Sequence, residues 1–213
     1  MLIGMKPIFL LGRGFDDKAW ISVVSRSASE MGVGWVEDAF WNPDDSRSNI
    51  PTWLRDLRRS TVPERAIYIS GLRDVFREMR EISDRGRVTP DEESRLLGYP
   101  RCCVQDHHSR ALIVEETFAQ AVMRVAEGDE KEARRIVLND VKVLLNDEEG
   151  ARMKWAEQLR PCPFTSVYMC DGCAASDRSP ARSLSRQYAK LARDLDSKLF
   201  ATLQRVYEGS RSS

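Results

Sequence analysis

The residues best suited to chemistry in this chain are its cysteines, five in all, four of them in two close pairs. Cys170-Asp171-Gly172-Cys173 is a C-x-x-C knuckle, with Cys162-Pro163 a little upstream. Two residues between thiolates let the chain turn so that both sulfurs face one ion, and backbone N–H groups in the turn can donate to them. Gly172 eases such a turn. A dithiol redox pair has the same spacing, but it normally follows a strand and opens a helix, whereas a proline-rich loop precedes this one. The other pair, Cys102-Cys103, follows Leu97-Gly98-Tyr99-Pro100-Arg101. Adjacent helical residues point about 100° apart, so both can ligate one ion only at an irregular helix start, which Pro100 provides. An iron–sulfur cluster relaxes that demand because neighbouring sulfurs bind different irons.

Cys102, Cys103, Cys170 and Cys173 are therefore the expected ligands, with a [4Fe-4S] cluster as the favoured cofactor and zinc as the alternative. Cys162 and His107 are the alternate ligands. Cys103 and His107 lie four apart on one helical face and, with Cys170 and Cys173, would make a Cys₃His zinc site. Cysteine is also among the most buried residue types, and for Cys162 simple packing competes evenly with ligation. Near these thiols, Tyr99, Asp106, His107 and Ser176 are the candidate catalytic groups, histidine being the natural proton carrier near neutral pH.

The string Leu96-Leu97-Gly98-Tyr99-Pro100-Arg101-Cys102-Cys103, with a downstream cysteine pair and serine, resembles the DUF483 family, a name that denotes unknown function. The similarity runs roughly from Ile67 to Tyr188. It implies that Cys102, Cys103, Cys170 and Cys173 are the matching site positions, with Ser176 beside them. The downstream pair is spaced one residue more closely than the family pattern, and Cys162 is extra to it.

Positioning these groups requires a scaffold, and the chain divides by pattern near residue 88. Ile8 to Leu11 is an apolar run consistent with a buried strand, and Trp20, Val23, Val24 and Ala28 form a helical stripe that Gly32 closes. Val33 to Trp41 and Ala66 to Ile69 read as further strands. Pro51 opens a short helix through Trp53, Leu54 and Leu57. Leu72, Val75, Phe76, Met79 and Ile82 recur at helical spacing. This alternation predicts an α/β fold with a small parallel sheet in residues 1–88. In residues 89–213 the pattern is mainly helical. Thr89-Pro90-Asp91-Glu92 is a capping box, Gly98 and Pro100 should stop its helix, and a second helix should run from about Cys102 to Met123. Further helices are expected over 129–145 and 184–207, with an irregular Pro/Gly/Ser/Cys loop between them closing over the thiols as part of one compact unit.

Lys plus Arg equals Asp plus Glu at 33 each, so net charge offers no case for nucleic acid or an anionic membrane. Basic groups such as Arg55, Arg58 and Arg59 are interleaved with acids and apolar residues, as on a solvated helix face. No stretch approaches the ~18 apolar residues a membrane helix needs, and Pro7 to Leu11 is too short for a signal peptide. A cytoplasmic location follows, where thiols stay reduced and clustered cysteines point to metal or catalysis. Gly12-Arg13-Gly14 lacks the third glycine of a dinucleotide-binding turn, and Asp16, Asp17, Glu37 and Asp38 are only positional candidates at strand ends. The five tryptophans sit mostly on apolar stripes.

Two functions fit. One is an enzyme using a Cys-ligated iron–sulfur cluster or metal for redox, sulfur-transfer or Lewis-acid chemistry on a small-molecule substrate, the reading the sequence leans towards. The other is a binding or regulatory protein with a structural zinc. Four closed protein ligands favour structure; three and an open position favour catalysis.

Overall fold

A computed structural model describes residues 9–11, 18–39, 42–43, 50–54, 65–85, 87–139, 141–162, 164–165 and 167–209. The expectations at Gly12–Asp17, Trp41, Arg55, Leu57, Arg58 and Arg59 lie outside these residues, as do the side chains of Trp20, Glu37 and Asp38.

The amino-terminal part is β1 (Phe9–Leu11), α1 (Lys18–Glu30), β2 (Gly34–Ala39), β3 (Asn42–Pro43) and β4 (Arg65–Ser70), then α2 (Arg73–Arg85) and β5 (Arg87–Val88). The strand-and-helix alternation is present, but the main sheet is antiparallel. Its order is β1–β4–β2, with Leu10 opposite Tyr68 and Val36 opposite Tyr68 on the other side. The parallel sheet expected from the sequence is thus corrected. A β-α-β alternation fixes which elements exist; it does not reveal that a later strand inserts between the first two, antiparallel to both. Among the described residues, the two-residue pair β3–β5 is the parallel one. Gly34 starts β2 where the Phe76 ring of α2 lies flat against the strand: an added Cβ would stand 2.6 Å from Phe76 Cδ2.

The remainder is helical: α3 (Pro90–Leu97), α4 (Arg101–Val125), α5 (Glu130–Leu138), α6 (Asp147–Glu157), the single turn α7 (Asp171–Ala174), α8 (Pro180–Leu195) and α9 (Ser197–Gly209). Two expected helices are corrected. The one over 129–145 ends at Leu138, and α6 begins at a capping box in which Asn146 accepts from the Glu149 N–H while Glu149 accepts from the Asn146 N–H. The terminal helix is two, broken at Asp196, whose extended backbone caps α8.

Three apolar clusters hold these pieces. Tyr68, Met79, Ile82, Val88, Leu96 and Leu97 join β4, α2 and α3. Ile50, Trp53, Leu54, Ala119, Val122, Ala133 and Ile136 bind the middle of α4 to α5 and to residues 50–54. The third cluster, Cys103, Cys162, Val167, Met169, Cys173 and Ala181, is built around the cysteines.

Candidate metal centre

The first cysteine pair is delivered by the tight joint between α3 and α4. Thr89 and Glu92 cap α3 reciprocally, and Gly98, at φ 67°, ends it in the left-handed region that glycine adopts without a Cβ penalty. The Tyr99 N–H donates to Ser94 O at 3.0 Å while Ser94 Oγ donates to Tyr99 O at 2.7 Å, so the chain turns sharply. Pro100 then caps α4 with extended backbone, and its carbonyl accepts from the N–H of Cys103 and of Val104. Cys102 and Cys103 fall in the first turn of α4.

The second pair is delivered by a folded-back loop. Pro161 bridges Tyr168, the Cys162 N–H donates to Val167 O at 3.0 Å, and the Met169 N–H donates to Arg160 O at 2.7 Å. The turn at its tip contains Phe164 at φ 61°, tied by Thr165 Oγ1 donating to Cys162 O at 2.9 Å. Val167 and Met169 face inward, Tyr168 outward, as strand alternation requires. Cys170 then caps the turn α7, and Cys173 lies inside it.

The four sulfurs of Cys102, Cys103, Cys170 and Cys173 all lie within 4.8 Å of one another. Cys102 and Cys173 are 3.6 Å apart, and Cys103 and Cys170 are 3.9 Å apart, so each near pair joins one segment to the other. The tandem pair does converge, because Pro100 puts both residues in a first turn whose side chains fold over the incoming loop. Four thiols gathered this closely, with no disulfide among them, can hold a metal ion.

Backbone N–H groups point at these sulfurs as well. The Cys170 N–H reaches Cys103, and the N–H of Ala181, in the first turn of α8, reaches Cys173. Ser179 caps α8 by accepting from the Arg182 N–H, and its hydroxyl donates to Cys173 O at 2.8 Å. Desolvation pushes the Cys102 thiol up to about 11, reinforced by its thiol neighbours. Burial pushes Cys103 up further. For Cys173 burial acts in the same upward direction, yet the Ala181 N–H and the three surrounding thiols outweigh it and hold it below the ordinary cysteine value.

Cys162 is apart from the four. It is fully buried, its Sγ donates to Ala181 O at 3.3 Å, and burial raises its pKa. It packs the underside of the cluster. Among the proposed proton carriers, Asp106 is engaged by Arg110 Nε at 2.7 Å. His107 is exposed and stacks on Tyr168 with ring centroids 6.3 Å apart. Tyr99 is half-buried and packs against the cysteines, and Ser176 is exposed in the turn before α8. His108 is buried and hydrogen-bonds Glu93 at 2.5 Å, tying α4 to α3.

Sequence reasoning missed Arg110. It is 5% exposed and binds Asp106, Trp155 O at 2.7 Å and Asp171 at 3.5 Å, with its guanidinium 4.2 Å from the centre of the Trp155 ring. Arg160 reaches the other oxygen of Asp171 at 3.1 Å. Asp171, the first residue of α7, is therefore held between two arginines, fixing the knuckle against α4. Its only sequence signal is the i,i+4 spacing of Asp106 and Arg110. Ser179 was missed as well, although Ser-Pro is a helix-start pair that could have signalled it.

The chain matches no protein-family model, no curated protein and no solved structure. No described helix is long and apolar enough to cross a membrane.

Proposed function

We propose that Cys102, Cys103, Cys170 and Cys173 hold a single tetrahedral ion, zinc, that fastens the start of α4 to the loop of residues 160–173 and to α8. The observation that carries this reading is the set of sulfur separations. An ion with thiolates at about 2.3 Å sets its sulfurs roughly 3.8 Å apart, close to the 3.6 and 3.9 Å of the two near pairs. In a four-iron cluster each thiolate caps a different iron, which spreads the sulfurs to roughly 6 Å. All four lie within 4.8 Å, so the distances favour one ion over the [4Fe-4S] cluster that the tandem cysteines suggested.

Four thiolates complete a tetrahedral coordination sphere, the pattern of a structural site. The chain's own groups supply what such a site needs beyond its ligands. The Cys170 and Ala181 N–H groups donate to sulfur and offset its charge, and Asp171 locks the knuckle in place. The protein is then a binding or regulatory module stapled by zinc, the DUF483 resemblance being part of this proposal and naming no activity. Elemental analysis and a visible spectrum of anaerobically purified protein test the reading. It expects one zinc per chain and no absorption near ~400 nm; brown protein containing iron and sulfide would replace zinc with a cluster.

A further inference from the structure

The four cysteines differ in exposure. Cys103 and Cys173 are buried and Cys170 is partly covered, but Cys102 is exposed. Its sulfur lies 3.6 Å from that of Cys173, which belongs to the other segment of the site. An exposed sulfur with a buried sulfur of the other segment beside it has the parts of an oxidation site: a point of attack and a resolving partner.

Building on the single-ion reading, we propose that Cys102 is a peroxide-reactive modification site and that its oxidation product is a Cys102–Cys173 disulfide, with release of the metal. In the metal-loaded site Cys102 is held deprotonated as a ligand, and this thiolate attacks one oxygen of hydrogen peroxide. The O–O bond breaks, Cys102 becomes a sulfenic acid, and the departing oxygen takes a proton and leaves as water. The Cys173 thiolate then attacks the Cys102 sulfur, forming the S–S bond and expelling hydroxide, which a second proton converts to water. Two thiolates lose two electrons, and one peroxide is reduced to two waters. Two of the four ligands are thereby withdrawn, and Cys103 and Cys170 alone hold an ion weakly.

The geometry adds a specific consequence. The bond that forms spans α4 and α7, so a covalent link replaces the metal link between the same two segments. A disulfide inside the knuckle, Cys170 to Cys173, would leave α4 untethered. Oxidation at Cys102 discharges the metal while leaving the segments joined.

The test uses the full chain, first assayed for metal so that failure of the metal reading is seen separately. Metal-loaded protein is titrated with hydrogen peroxide. Metal release is followed with a chromogenic chelator, and cysteines are mapped by differential alkylation and mass spectrometry. The expected result is release of one metal per chain in step with loss of free Cys102 and Cys173, recovered as one linked peptide. Cys162→Ser should behave the same, and dithiothreitol with added zinc should restore the loaded form. A first disulfide through Cys103 or Cys170, oxidation of Cys102 without a disulfide, or metal retained under excess peroxide would overturn the proposal.

Discussion

At the residue scale four of the five thiols form one cluster that could hold a metal, and the fifth packs beside it. Cys102, Cys103, Cys170 and Cys173 share one sulfur cluster, whereas Cys162 points to a carbonyl. Serine at any of the four should lower metal content and stability together, because metal-binding energy is also folding energy. A loss of about 3 kcal/mol or more, near 10 °C in Tm, is expected in thermal unfolding of purified protein. Cys162→Ser keeps a donor to Ala181 O and should cost only about 1 kcal/mol with metal content unchanged. Equal losses at Cys162 and Cys102 would overturn the ligand assignment. These residue types and their local spacing were readable from the chain. That Arg110 would be buried beneath the knuckle was not, because its partners Trp155 and Asp171 are far away in sequence and their meeting depends on the packing of α6 and α7 against α4. Arg110→Met keeps the apolar stem but takes the cation from Asp106, leaving Asp171 to Arg160 alone and the Trp155 carbonyl to the Gln158 N–H. It should destabilise by about 3 kcal/mol and weaken metal retention in a chelator competition; unchanged retention would detach Arg110 from the site.

At the element scale the joint between α3 and α4 does the positioning, and the capping box at the opposite end of α3 gives that helix a pH dependence. Burial alone would raise the Glu92 carboxyl, but the Thr89 N–H and hydroxyl and the Arg85 guanidinium outweigh it and hold it below its ordinary value. A carboxyl depressed in the folded state contributes stability that is fully present above its unfolded pKa, about 4.3, and is lost as pH falls through the folded value. Wild-type stability should thus decline on acidification below about pH 5 with a contribution from this group. Glu92→Gln should be less stable at neutral pH and show a shallower acid limb in denaturant titrations across pH; an unchanged limb would remove Glu92 from the balance. This capping box, the Gly98 stop and the helix from Arg101 were visible in the sequence because their signals are local. The α5–α6 division was hidden because Val141, Leu144 and Leu145 continue an apolar pattern, although they are exposed in a segment outside either helix. The split terminal helix was equally obscured, since Asp196 interrupts it with neither glycine nor proline.

At the scale of the whole molecule, the antiparallel β1–β4–β2 order shows where sequence reading runs out. Strand candidates were identifiable from their apolar runs, but direction and neighbour order depend on the chain between β2 and β4 and leave no periodicity behind. The cysteine cluster is different in kind. It joins residues separated by the length of α4, α5 and α6, closing a long loop, and such a link gains most from restricting the unfolded chain. Chelation should therefore lower Tm by at least about 10 °C and loosen the 160–173 loop and α8 before the α4–α5 core. Hydrogen exchange of loaded and chelated protein reads this directly, and uniform protection loss, or none, would contradict a local staple.

The central claim is one tetrahedral ion bound by four sulfurs. X-ray absorption at the metal edge of purified protein measures its coordination sphere. The account predicts zinc with four sulfur neighbours at about 2.3 Å and no second metal nearby. Iron with a metal–metal distance of about 2.7 Å, or zinc with oxygen among its ligands, would contradict it.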